Sequence, residues 1–188
     1  MKQCQYMKKI LLSIMLAGSM VACKSPQSDV SFPKGQLPFD NPYAFGLDLS
    51  FVNRAEHAGA VYYDIDGTEK SPWQIFADHG YNWGRLMVCN EPSRLGQGLD
   101  NLLEGARKLK EHNYHFALDF MMADGWSNPM TQPMPKSFKD MSHAERVAAF
   151  HDYVYHVVST LDENGVCPEI VQVGNEIKSD VNQSLALG

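Results

Sequence analysis

Residues 169–176, EIVQVGNE, decide the fold. Their apolar side chains follow one another with little alternation and end on two polar ones. A strand covered on both faces, as a parallel sheet requires, has this form. Three earlier stretches repeat it: residues 44–51 (AFGLDLSF), 80–89 (GYNWGRLMVC) and 114–121 (YHFALDFM). Between them the apolar period lengthens to that of a helix. Ser71 is a candidate N-cap for a helix that opens at Pro72 and turns Ile75 and Phe76 to one side. Leu99, Leu102, Leu103, Ala106 and Leu109 recur at three- and four-residue steps, with Glu104, Arg107, Lys108 and Lys110 on the outer face. Ser142 and Glu145 have the spacing of a capping box, ahead of a stripe made of Val147, Phe150, Val154, Val157, Val158 and Leu161. Gly165 sits where that helix should stop.

Strand alternating with helix argues for an α/β domain with a parallel sheet. An open doubly wound sheet and a (β/α)8 barrel both fit the alternation. The polar residues favour the barrel, because Asp48, Arg85, Asp119, Asn175 and Glu176 all fall late in their strands. Barrel enzymes place their chemistry at those ends. Neither GxGxxG nor GxxxxGK[ST] follows the first strand, so the signatures of nucleotide-binding open sheets are missing. The expected architecture is the N-terminal half of a (β/α)8 TIM barrel, about four βα units long and truncated.

Composition narrows the function classes. The 188 residues carry a formal charge of −6, and 44% are hydrophobic. A packed core is therefore within reach, and the clustered cations that track phosphates are absent, which argues against a nucleic-acid partner. Cysteines at 4, 23, 89 and 167 lack the spacing of a zinc site or redox pair. The seven histidines form no i, i+4 ligand pair and are expected on the surface or in packing roles, so neither metal nor other cofactor is implied. The first residues are an address. Lys8 and Lys9 precede an apolar run from Ile10 to Ala17, then small residues and Met20-Val21-Ala22-Cys23. This describes an export signal over residues 1–23, too short to span a membrane, which takes about 20 apolar residues. Cys23 has the setting of a lipoprotein-type lipidation site, which would tie the protein to the bacterial cell envelope. Simple secretion is the alternative. Residues 24–41, rich in Ser, Pro and Gly, are expected to be a flexible tether, and residues 42–188 the partial (β/α)8 domain. Cys89 and Cys167 fall at opposite ends of their strands, which argues against a bond between them.

Residues 168–177 (PEIVQVGNEI) resemble the acid/base strand of the endo-β-1,4-galactanases of glycoside hydrolase family 53. Further matches follow in register: residues 46–50 (GLDLS), 62–67 (YYDIDG), 84–86 (GRL) and 118–120 (LDF), then Asp124, Trp126, Pro129, Gln132 and Pro135. The likeness covers residues 44–177. Departures exist as well. Met121-Met122-Ala123 stand where the family usually has His-Tyr-Ser, and Met87-Val88-Cys89 continue a strand that usually ends Arg-Val-Trp.

The resemblance implies a retaining glycoside hydrolase acting on a galactan or arabinogalactan polysaccharide. Retention takes two carboxyl groups about 5–5.5 Å apart, one a nucleophile and one a general acid/base. Glu176 is implied as the acid/base, with Asn175 beside it as a donor to a sugar hydroxyl. Arg85 is expected beneath the pair, where a planar and permanently charged fork can fix a carboxylate. Trp126 is a candidate sugar-stacking platform and Asp124 a candidate hydroxyl acceptor, while Asp48 and Asp119 are expected to hold the strand ends together. The family's nucleophile lies on a seventh strand, and a full barrel takes about 250 residues. The 188 residues are accordingly expected to be inactive alone. The alternative is a glycan-binding surface lipoprotein that keeps a sugar cleft without turnover.

Overall fold

The structure is a computed structural model, and it describes residues 43–90 and 96–177. The export signal, the tether and Cys23 lie outside the described residues. The compact unit that carries the sheet begins at Phe45. Four strands, β1 (Gly46–Asp48), β2 (Trp83–Val88), β3 (His115–Phe120) and β4 (Ile170–Val173), form one sheet in the order β1-β2-β3-β4. Every pairing is parallel, with Asp48 beside Arg85, Met87 beside Asp119 and Asp119 beside Gln172. Helices α1 (Val52–His57) and α2 (Pro72–Asp78) separate β1 from β2. Helix α3 (Leu99–Glu111) separates β2 from β3, and α4 (His143–Glu163) separates β3 from β4.

Side chains alternate across a strand, so one contact fixes which face is which. Gly84 of β2 lies against Leu109 of α3 so closely that an added Cβ would stand 2.2 Å from its Cδ2. Gly105 of α3 abuts Leu86 in the same way. Even-numbered residues of β2 therefore face helices, and by register Phe116, Leu118 and Phe120 of β3 do too. The ring of Phe120 meets Tyr153 of α4 edge-on at 5.8 Å between centroids. Odd-numbered residues line the opposite face, which in a closed barrel is the interior. The rings of Trp83 and His115 meet there at a tilt, 5.0 Å between centroids, Arg85 and Asp48 come next, and Met87 packs with Cys89 and Met121 near the strand ends. Cys89 is a free, buried thiol.

The strands are shorter than their apolar runs. At the end of β1, Asp48 accepts a hydrogen bond on Oδ1 from the Ser50 amide at 2.9 Å, and the chain turns into α1. That helix has only six residues, too few for a periodic stripe. The run at 169–176 yields a strand only to Val173, because Gly174 takes φ +103° and Glu176 φ +51°. Ser71 does precede α2, yet its hydroxyl donates to Glu56 at 2.5 Å instead of capping the helix. The capping box of α4 forms as expected, with Glu145 N to Ser142 Oγ at 3.4 Å and Ser142 N to Glu145 Oε2 at 2.7 Å. Phe150, Val154, Val157, Val158 and Leu161 are buried, whereas Val147 is exposed, one turn before the stripe reaches the sheet. Among the described residues no helix is long and apolar enough to cross a membrane.

Candidate functional site

The C-terminal ends of the four strands converge on one guanidinium. Arg85 of β2 donates through Nη1 to Asp48 of β1, through Nη2 to Asp119 of β3 at 2.5 Å, and through Nη2 to Oδ1 of Asn175 at 3.2 Å. A planar fork with five N–H donors can serve acceptors on both sides in one fixed plane. One arginine thus ties β1, β3 and the end of β4 to β2. Asn175 is buried, and its other end is also engaged, since Nδ2 donates to the Ser127 carbonyl at 2.9 Å.

Asp119 is 1% exposed, and its Oδ1 has no hydrogen-bond partner among the described residues. Burial pushes its carboxyl up to about 6, against the pull of Arg85 and helped by the charges of Asp48 and Glu176. The sign follows from linkage. An acid whose folded pKa is raised binds its proton more tightly when folded, so it contributes stability below the unfolded value near 3.8 and loses it as pH rises through about 6. Other carboxyls, Glu56, Asp64 and Glu145 among them, are shifted down and act in the opposite sense. Urea denaturation of wild type and Asp119→Asn should therefore be compared as a difference. The variant is expected to gain relative stability between pH 4 and pH 7, and a flat difference would remove the claim that Asp119 is protonated near pH 5.

Glu176 follows Asn175 directly and is exposed. Among the described strands only β3 flanks β4. The backbone of Glu176 is left-handed, which costs a non-glycine residue of order 1–3 kcal/mol. The preceding Gly174 could not be any other residue without rearrangement. A Cβ there would stand 2.6 Å from Met122 Sδ and 2.1 Å from Ile177 Cδ1, at a φ that L side chains rarely adopt. In the loop after β3, Trp126 is 53% exposed, which leaves its ring available as a surface. Asp124 accepts on Oδ2 from the Lys136 amide at 2.9 Å, so half of that carboxylate is used to pin the loop, while Oδ1 is buried and has no partner among the described residues. Among the described residues no group of three His, Cys, Asp or Glu is placed to hold a metal.

The sequence profile of the family described as Glycosyl hydrolase family 53 matches residues 44–185. The chain belongs to that family. An arabinogalactan endo-β-1,4-galactanase of Cellvibrio japonicus is 31% identical over 147 residues, which cover 77% of this chain and 39% of the relative. A protein of Niallia circulans, described as uncharacterized and encoded in the bgaB 5' region, is 33% identical over 138 residues, covering 73% and 38%. Among solved structures, the family 53 catalytic domain of Ignisphaera aggregans superposes with a TM-score of 0.67 at 31% identity, covering 70% of this chain and 39% of that one. The chain spans about two-fifths of the length of the relatives it matches. The four-stranded parallel sheet with its helices is accordingly part of a family 53 TIM barrel.

Within that frame Asp48, Arg85, Asp119 and Asn175 form one bonded cluster at the strand ends, and Glu176 follows it in the chain. Asp124 and Trp126 belong to the loop that continues from β3. Two participants make contacts that the sequence does not name, Gln132 although it is one of the loop residues matched above. Ser127 accepts from Asn175 through a main-chain carbonyl, and Gln132 donates to the Glu176 carbonyl at 2.6 Å. Such contacts depend on residues 48 and 44 positions apart, and only the folded loop reveals them.

Proposed function

We propose that this family 53 chain supplies the acid/base half of a retaining glycoside hydrolase that cuts within β-1,4-galactan or arabinogalactan chains. The observation that carries the proposal is the position of Glu176, at the C-terminal end of β4 and directly after the Asn175 held by Arg85. Barrel enzymes act at that end of the sheet. In the proposed reaction the Glu176 carboxyl protonates the departing glycosidic oxygen while a second carboxylate attacks the anomeric carbon. Water then releases the sugar as Glu176 takes back a proton. Arg85 fixes the floor of the site, Trp126 stacks on a sugar face and Asp124 borders the cleft. The relatives named as galactanases support galactan as the substrate. Export and lipidation at Cys23 would put the site outside the cytoplasm, where polysaccharide is met.

Covalent catalysis needs both carboxylates, and by family resemblance the nucleophile lies on a seventh strand. The 188 residues alone are expected to release no reducing ends from β-1,4-galactan. A barrel completed with the second half of the Cellvibrio japonicus galactanase is expected to release them with the β configuration kept, read by NMR of the fresh product. Turnover by the 188 residues, or inversion by the completed barrel, would overturn the proposal. A specific observation favours glycan binding without turnover as the second reading. Met121 is buried against Met87 and Cys89 where the family usually presents a histidine. A completed barrel that retards in galactan-containing gels without cutting the polymer would establish it.

A further inference from the structure

The loop after β3 touches the Glu176 segment at its main chain and leaves the carboxyl alone. Gln132 is only 8% exposed, and its side-chain Nε2 donates to the Glu176 carbonyl oxygen at 2.6 Å. Five residues earlier in the same loop, the Ser127 carbonyl accepts from Asn175 Nδ2 at 2.9 Å. Between the two, Asn128 closes a tight turn by accepting on Oδ1 from the amides of Met130 and Thr131, both at 2.9 Å, so Gln132 leaves the turn on a fixed heading. A third amide side chain, Gln172, donates to the Gly174 carbonyl at 3.1 Å. The carbonyls at 174 and 176 are thus each gripped by a glutamine, on either side of an asparagine whose own side chain is held at both ends.

The grip matters because of the backbone it holds. Glu176 is left-handed at φ +51°, a conformation that a glutamate leaves readily when nothing opposes it. The direction of the Cα–Cβ bond follows from φ and ψ, so a slip to extended or right-handed backbone would swing the carboxyl away from the strand ends. No hydrogen bond reaches that carboxyl from the described residues, so its heading is set by the main chain beneath it. We infer that Gln132 is a positioning residue for Glu176, holding the acid/base in its left-handed conformation by donating to its carbonyl oxygen. The catalytic consequence rests on the proposed role of Glu176, whereas the conformational claim stands without it.

The test asks whether a donor at position 132, and not merely bulk, is what counts. Gln132→Met keeps the volume and removes the donor. Gln132→Glu keeps the shape and, ionised at pH 7.5, can only accept. Gln132→Lys restores an N–H donor of similar reach. In the 188-residue chain, the 13Cα and 13Cβ shifts of Glu176 report the sign of its φ. Wild type and Gln132→Lys are expected to show the left-handed values, and Gln132→Met and Gln132→Glu to lose them. In the completed barrel, Gln132→Met should lower kcat about tenfold at unchanged KM, with Gln132→Lys recovering it. Left-handed values that survive in the Met and Glu variants, or that are absent from wild type, overturn the inference. So does a Lys variant that behaves like Met. If the shifts follow the donor rule but Glu176→Gln leaves the completed barrel fully active, the clasp stands and the acid/base assignment falls.

Discussion

Glu176→Gln in the completed barrel should lower kcat on β-1,4-galactan by about 10²–10⁴-fold, the range that a positioned general acid/base supplies. Glutamine has the size and polarity of glutamate but no proton to give at the leaving oxygen and no basic oxygen to take one from water. KM should change little, since hydroxyl contacts along the polymer are untouched. The left-handed backbone and the hydrogen bond from Gln132 to the 176 carbonyl should also survive, because both belong to the main chain. Loss of activity would then be a loss of chemistry and not of fold. A substrate with an aryl leaving group separates the two halves of the reaction. It departs without acid help, so the first step should proceed while the second, which needs a base, stalls. A burst of one aryl equivalent per enzyme is the expected trace. Linear turnover at the wild-type rate would remove Glu176 from the mechanism.

Much of this strand-end cluster is legible in the sequence, for a physical reason. Charged residues ending otherwise apolar strands are costly unless they meet partners, so Asp48, Arg85 and Asp119 had to be either a network or a site, and the structure joins them in one. The helices at 99–111 and 143–163 followed from periodicity, since a buried stripe of that length has few alternative placements, whereas the strand order followed from the barrel that the polar strand ends favoured. Helix α1 did not, because six residues show no period. The setting of Asn175 was only partly visible. A polar residue at a strand end suggests a sugar contact, and the structure adds bonds to Arg85 and Ser127 that residue type and position alone do not name. Gln132 stood within a recognisable loop motif, but its bond to a main-chain carbonyl 44 residues away leaves no local trace. Main-chain acceptors are the same for every residue type, so sequence cannot say which carbonyl a side chain will find.

Arg85→Met is expected to destabilise the chain by about 2–3 kcal/mol at pH 8, the most that two pH units above a pKa near 6 allow before the unpaired Asp119 keeps its proton instead. The figure belongs to Asp119 more than to Arg85. Asp48 is exposed enough for water to replace the lost contact, and Asn175 loses only a neutral acceptor's partner. Asp119, at 1% exposure and with Oδ1 already unpartnered, has no such recourse. Its pKa near 6 then makes the cost depend on pH. At pH 5 the wild-type carboxyl is largely protonated, and little attraction to Arg85 remains to be lost. At pH 8 it is ionised in the wild type, whereas in the variant burial without the pull of Arg85 raises its pKa further and makes the ionised form costlier. Urea midpoints should therefore separate widely at pH 8 and converge toward pH 5. Adding Asp119→Asn to Arg85→Met should restore most of the loss at pH 8, because the charge that needed compensation is gone. An equal loss at both pH values would mean that Arg85 acts through packing of its stem between β1 and β3, and the electrostatic account of the strand ends would have to be given up.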